Sequence, residues 1–416
     1  MELEKIIQTY TNRFEVRPAY FLDPPPADLS LVITIPCYKE PNLLATLESL
    51  GRCILPSGAV EVIVAVNAPD SAPEEVLEAN RTSIEQVGDW CSRNPSSKLD
   101  VKIIQEEGLP DRYAGAGLAR KIAMDEGLRR WASLGRDGPI LCLDADCLVS
   151  TSYLVAAERV FSNKEIKLAH FQFRHDWRLE IDESLQLGIV AYELHLRCFI
   201  QGLKWAGYPF AVHTIGSCMA VRASLYARSG GMNKRKAGED FYFMHKLLPL
   251  GGFREIPATV FPSCRVSDRV PFGTGRAQRE WKTGDRELKT YSLQIFDRMA
   301  LLFKEIEDIY ERDVHMDSLP DPIREVLSFV SFGDRVGQFR VESRTKEVFF
   351  RKFWGWMDGF LVLKLVHYLR DHGSPNQSLL EVGEGLIARS ESETIGFDRE
   401  IIRLLIDLKE LLELEG

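Results

Sequence analysis

Short unbroken apolar runs alternate with longer stretches of helical spacing through roughly the first 150 residues. Leu31–Ile35, Val60–Val66, Val101–Ile104 and Pro139–Leu143 read as strands buried on both faces, because no polar position interrupts them at a period of two. Between them the spacing predicts helices at Asn42–Leu50, from beyond Asp70 to about Cys91, and from the Gly115–Gly117 loop to about Trp131. Strands alternating with helices imply an α/β fold with a mostly parallel sheet flanked by helices. The stretch from about Ser150 to Trp281 is mixed. It predicts a helix, a strand at Ile166–Phe173, a long helix at Ile181–Lys204 and a short amphipathic helix at Asp240–Leu248. From Asp285 the pattern turns helical, with breaks at Pro320-Asp321-Pro322 and Gly373-Ser374-Pro375, and predicts an α-helical C-terminal extension.

Polar residues that follow the apolar runs carry the candidate chemistry. In open α/β sheets ligands bind beyond the carboxyl ends of the strands, so Tyr38, Lys39, Glu40, Asn67, Asp70, Asp144 and Asp146 are expected on one rim. Asp144 and Asp146 stand two apart at the end of a strand, where alternation would project both carboxylates to one side. A hard divalent cation held by one or two carboxylates completes its shell with water and substrate phosphates. Taken alone, an Asp-x-Asp is more often a solvated turn.

Five motifs in order give that pair its company. Val32-Ile33-Thr34-Ile35-Pro36-Cys37-Tyr38-Lys39-Glu40, Glu61–Asn67, Gly115–Lys121, Leu143-Asp144-Ala145-Asp146 and Gly238-Glu239-Asp240 together resemble family 2 glycosyltransferases. The resemblance implies a GT-A, Rossmann-like fold acting on nucleotide-diphosphate sugars. It implies a catalytic domain over residues 1–284, with a nucleotide-binding half at about 28–150 and an acceptor half at about 151–284, followed by the extension at 285–416. It implies a donor nucleotide held by Pro36, Tyr38, Glu40, Asn67, Gly117, Arg120 and Asp144, and a divalent cation, Mn²⁺ or Mg²⁺, at Asp144 and Asp146. Asp240 would be the general base of an inverting hexosyl or related transfer, with Glu239 beside it to orient the acceptor. Many relatives carry Asp where this chain has Asn67; Asp70 is the substitute within reach in sequence.

Other segments add weaker candidates. Arg265, Asp268, Arg269 and Arg276, with Lys234-Arg235-Lys236 upstream and Arg279 nearby, lie in Gly-rich sequence that could fold over a leaving diphosphate. Gln278-Arg279-Glu280-Trp281 is similar to the Gln-x-x-Arg-Trp motif of processive polysaccharide synthases but one residue shorter, so Trp281 is a weak acceptor or diphosphate candidate. The resemblance implies a late histidine as a further metal ligand, but no histidine occurs between His245 and His315, so Asp268 or water serves, His213 is the nearest alternative, or the third ligand is missing. Two rivals stand beside the transferase: a nucleotide-dependent oxidoreductase using the Gly115–Gly117 turn for pyrophosphate, and a catalytically silent sugar-nucleotide binder. Against the oxidoreductase, about ten residues separate the strand from the glycines, and Arg120 takes the third glycine position.

Composition narrows the classes. With 52 Lys and Arg against 61 Asp and Glu the net charge is −9, which argues against a nucleic-acid partner. Eight cysteines without Cys-x-x-Cys spacing suggest buried thiols in a reducing compartment rather than a disulfide frame or zinc site. Met1–Arg13 mixes acids and bases, unlike a signal peptide, so the mature protein is expected to begin near Met1 and to be cytoplasmic. No run approaches the ~20 apolar residues of a transmembrane segment, which leaves peripheral membrane contact open. The acceptor, whether glycan, lipid or small molecule, is not encoded in these motifs. Phe349, Phe350, Phe353, Trp354, Trp356 and Phe360 are expected to form the packing core of the extension, in preference to a lipid- or partner-facing surface.

Overall fold

The computed structural model describes residues 2–267, 273–284, 287–389, 399–407 and 410. It divides into two compact units: one comprises the described residues up to Asp176 with Thr214–Ser263, the other Trp177–His213, Cys264–Ser267 and the described residues from Gly273 onward.

In the first unit α1 (Glu2–Phe14) precedes β1 (Leu29–Cys37), α2 (Leu43–Gly51), β2 (Ala59–Pro69), α3 (Glu74–Arg93), β3 (Leu99–Leu109), α4 (Ala116–Ser133), β4 (Pro139–Cys142), β5 (Leu148–Val149), α5 (Tyr153–Phe161) and β6 (Leu168–Phe173). The next helix, α6 (Glu183–Trp205), belongs to the second unit. The first then resumes with β7 (Met219–Arg222), α7 (Ala223–Arg228), α8 (Glu239–Leu247) and β8 (Phe253–Phe261). Among the described residues eight strands form one sheet in the order β3-β2-β1-β4-β7-β6-β8-β5. The β3-β2-β1-β4 portion is parallel, β6 and β8 are parallel, and β7 runs antiparallel to both its neighbours. This is the mostly parallel α/β sheet expected from the sequence.

The central strands explain why their pattern is continuous. Every residue of β2 but the last is buried, whereas β3, the outermost strand, alternates buried with exposed and carries Asp100, Lys102, Glu106 and Glu107. Charges on an outer strand discourage pairing with another chain. Helix α4 is a different case. Arg120, Lys121, Asp125, Glu126 and Arg130 are all buried on it. Ionised groups survive burial only when paired, and here Lys121 meets Asp125 at 3.1 Å, Arg130 meets Glu61 at 2.5 Å, and Tyr10 and Tyr226 donate to Asp125. Through Tyr10, α1 is tied to α4, a role that the mixed charges of Met1–Arg13 do not announce.

In the second unit α9 (Thr274–Lys282) is a helix where a Gly-rich loop is expected from the sequence, and α10 (Leu293–Ile306), α11 (Asp321–Phe329), α12 (Phe332–Glu342), α13 (Lys346–Trp356), α14 (Gly359–Asp371) and α15 (Leu379–Arg389) make the expected helical C-terminal part. Phe349 and Phe353 are fully buried in a core with Phe296, Leu302 and Val362, and Phe350, Trp354 and Trp356 pack on it partly buried. Among the described residues no helix is long and apolar enough to cross a membrane.

Candidate active site

Parallel register brings the carboxyl ends of β1, β2 and β4 to one rim: Cys37 is level with Val66, and Thr34 with Cys142. Near the end of β2, Asn67 is buried and its amide donates to Cys37 O at 2.8 Å, while Asn67 O accepts from the Asn80 amide at 2.9 Å. Asn80 Oδ1 in turn accepts the Lys39 N–H at 3.0 Å. Lys39 has φ 45°, a left-handed backbone that non-glycine residues rarely hold without support. Glu40 is buried, and its carboxylate accepts the Asn42 N–H at 2.9 Å at the entry to α2. Pro36 and Tyr38 are half-buried beside them, and Asp70 is exposed.

Beyond β4 the geometry departs from the strand-alternation argument. β4 ends at Cys142, and Asp144–Cys147 form a turn closed by Cys147 N–H to Asp144 O at 3.1 Å. Leu143 N–H still pairs with Thr34 O, after which the chain leaves the sheet. Asp144 and Asp146 therefore owe their placement to a turn, and both are half-buried.

One guanidinium organises what faces them. Buried Arg120 donates to Asp144 Oδ1 at 3.0 Å, to Glu239 Oε1 at 3.2 Å and to Gly216 O at 3.2 Å. Gly216 also borders Asp240: a Cβ there would stand 2.8 Å from an Arg120 nitrogen and 3.0 Å from Asp240 Oδ2. Glu239 and Asp240 open α8 directly after Gly238, whose φ of 70° turns the chain into the helix. Asp240 Oδ1 accepts the Phe241 N–H at 2.7 Å. Burial raises the pKa of Glu239 to about 7 and raises that of Asp240 as well, opposed in both by the charge of Arg120. Three carboxylates around one cation, two of them with perturbed protonation, form a candidate active site.

No family model matches the chain, and no curated protein matches it. Among solved structures, the chain is similar to the crystal structure of residues 1–349 of S. aureus TarS, at 13% identity, 75% coverage of this chain, 89% of that chain and a TM-score of 0.39. The same protein in complex with UDP-GlcNAc gives 14%, 93%, 92% and 0.38. A mannosyltransferase from Pyrobaculum calidifontis in complex with GDP-Man and Mn²⁺ gives 14%, 98%, 97% and 0.34. At these scores the likenesses carry no argument, and the site stands on its own residues.

The remaining sequence candidates fall in different places. Gly115 and Gly117 are filled by polypeptide: a Cβ at Gly117 would lie 2.2 Å from Arg235 O, and one at Gly115 would lie 3.0 Å from Lys236 O. Their smallness serves close chain approach, which removes the space that a pyrophosphate would need in the oxidoreductase reading. Asp268 and Arg269 lie outside the described residues. Arg265, Arg276 and Trp281 belong to the second unit, as does His213. The Gly-rich stretch is helical from Thr274, where Arg276 pairs with Glu280 at 2.5 Å, Gln278 is buried, and Trp281 Nε1 donates to Ser184 Oγ at 3.2 Å.

A divalent cation is the group that the motifs imply. Among the described residues no set of three or more His, Cys, Asp or Glu is placed to hold a metal ion. Asp144 spends one oxygen on Arg120 and has a second, and Asp146 lies two residues on in the same turn. That donor set fits a hard cation whose shell substrate phosphate completes, and it does not fit a self-sufficient protein cage. Gly216, Asn80 and Asn233, whose amide donates to Glu239 O at 2.9 Å, were not singled out by the sequence. Gly216 and Asn80 act on residues far away in the chain, and Asn233 acts on backbone six residues on, so none of them belongs to a recognisable motif.

Proposed function

We propose that this protein is a metal-dependent inverting glycosyltransferase that moves a sugar from a nucleotide-diphosphate donor to an acceptor hydroxyl. The observation that carries the reading is the convergence on Arg120 of Asp144, from the β4 turn, and Glu239, the neighbour of Asp240. In this reading residues 1–284 are the catalytic domain and 285–416 the extension.

Asp144 and Asp146 would hold the cation, which supplies positive charge against the developing charge of the leaving diphosphate. Pro36, Tyr38, Glu40 and Asn67 line the nucleoside side of the rim. Asp240 accepts the proton of the attacking hydroxyl, and burial, by raising its pKa, makes it a stronger base. The anomeric carbon passes through an oxocarbenium-like state with attack opposite to departure, so configuration inverts. Arg120 is buried and donates to three protein acceptors, which favours a positioning role over contact with the nucleotide: it fixes Asp144 and Glu239 and lowers the pKa of the acid pair against the effect of burial.

A thermal-shift screen of UDP, GDP and their sugars, with and without Mn²⁺ or Mg²⁺, tests the reading. Ligand that binds only the native state raises the melting temperature. One base with metal should stand out; no response to any nucleoside diphosphate in either condition contradicts the reading.

A further inference from the structure

The first unit gathers cations in one place without neutralising them. Arg112 and Lys234 converge on the Tyr113 ring, 5.2 and 5.9 Å from its centroid. Arg235 lies 3.8 Å over the Tyr242 ring, and the Lys236 backbone lies against Gly115. All four side chains are exposed, and among the described residues none has a carboxylate within ion-pair distance. Acids are abundant in a chain of net charge −9, and some bases elsewhere pair with them, as Lys39 does with Glu75 and Lys346 with Glu311; what sets this group apart is that four bases share one short loop and the segment it packs against. Asp111, whose carboxylate feels Lys236, is hydrogen-bonded to Ser71.

The fold builds this concentration. The Asn233–Gly238 loop reaches the Tyr113–Gly117 segment because Gly115 and Gly117 offer no Cβ, and Asn233 closes the loop through Glu239 O. The same loop ends in the acid pair. Like charges held together repel, and an anion seated among them relieves that repulsion.

We propose that this cluster binds the negative charge of the acceptor, so that the hydroxyl presented to Asp240 belongs to a soluble molecule bearing repeated phosphate or carboxylate groups. The proposal rests on the glycosyl-transfer reading. The loop that carries Lys234, Arg235 and Lys236 runs directly into Glu239 and Asp240, whereas in the proposed reading the donor diphosphate belongs with Asp144 and Asp146.

The test measures binding of inorganic tripolyphosphate, UDP, GDP and phosphatidylglycerol vesicles to the full chain at low salt. It compares wild type with the triple variant Lys234→Ser/Arg235→Ser/Lys236→Ser and with the charge-retaining Lys234→Arg/Lys236→Arg. Wild type should bind tripolyphosphate, the serine variant at least about tenfold more weakly, and the arginine variant as wild type does. Nucleoside-diphosphate affinity should stay within about twofold throughout, and melting temperatures confirm folding. Equal tripolyphosphate binding by wild type and the serine variant overturns the proposal. So does a parallel loss of nucleoside-diphosphate affinity, which assigns the charge to the donor, or capture by vesicles without tripolyphosphate binding, which assigns it to a membrane. If wild type binds no nucleoside diphosphate, the transfer reading fails while the tripolyphosphate arm still reports on the cluster.

Discussion

The two ends of the rim solve different problems with polar groups. At the β1/β2 end, Asn67, Asn80 and Glu40 hydrogen-bond to backbone and to one another, and they hold Lys39 in its left-handed conformation. Neutral amides carry most of that work. At the β4/α8 end one buried guanidinium faces Asp144 and Glu239 with Asp240 beside them, and burial has raised the pKa of the acid pair. The first end is satisfied and shape-holding. The second is electrostatically loaded, the condition expected where protons and charge move.

Breaking the loaded end should have the largest effect. Asp240→Asn should lower turnover of a sugar nucleotide by ~10²–10⁴ while nucleoside-diphosphate affinity holds, as steady-state rates and calorimetric binding can establish. Arg120→Met should cost about 3–5 kcal/mol in urea unfolding, because it leaves buried carboxylate unpaired. In the same variant the acid limb of the pH–rate profile should move to higher pH, since Arg120 lowers the pKa of both members of the acid pair.

A buried histidine on β6, beyond the loaded end, sharpens the contrast by pH. His170 Nε2 accepts the Ile215 N–H at 3.2 Å, and burial lowers its pKa to about 4. A group whose folded pKa is depressed is stabilising above its unfolded value and loses that contribution as pH falls. The window here runs from 6.5 down to about 4, with up to roughly 3 kcal/mol at stake. Because the raised acid pair acts in the opposite direction, the effect is read as a difference: the stability gap between wild type and His170→Asn should shrink across that window. The satisfied end should give the smallest change. Asn80→Ala strands the Lys39 N–H and Asn67 O, costing about 1–3 kcal/mol, and should weaken nucleoside binding with little effect on the rate of bound substrate.

The same contrast governs what can be read from the chain. β1, β2 and β4 are legible because burial on both faces writes continuous apolar runs. β8 is not, since Pro257 interrupts Phe253–Phe261, and β7 is only four residues long. Helix α9 hides in sequence that reads as a Gly-rich loop, although Arg276 and Glu280 stand at helical spacing. At the site, Asp144, Glu239 and Asp240 announce themselves as short motifs. Their link through Arg120 does not, because it joins positions 24 and 119 residues away.

The central claim is that this rim transfers a sugar with inversion, and anomer-resolved proton NMR tests it most directly. Protein incubated with a panel of UDP- and GDP-sugars and Mn²⁺, with water as the acceptor, should release free sugar from one donor, its first-formed anomer opposite in configuration to the donor. The signal should vanish with chelator and with Asp240→Asn. First-formed sugar of retained configuration, or undiminished release by Asp240→Asn, would contradict the account.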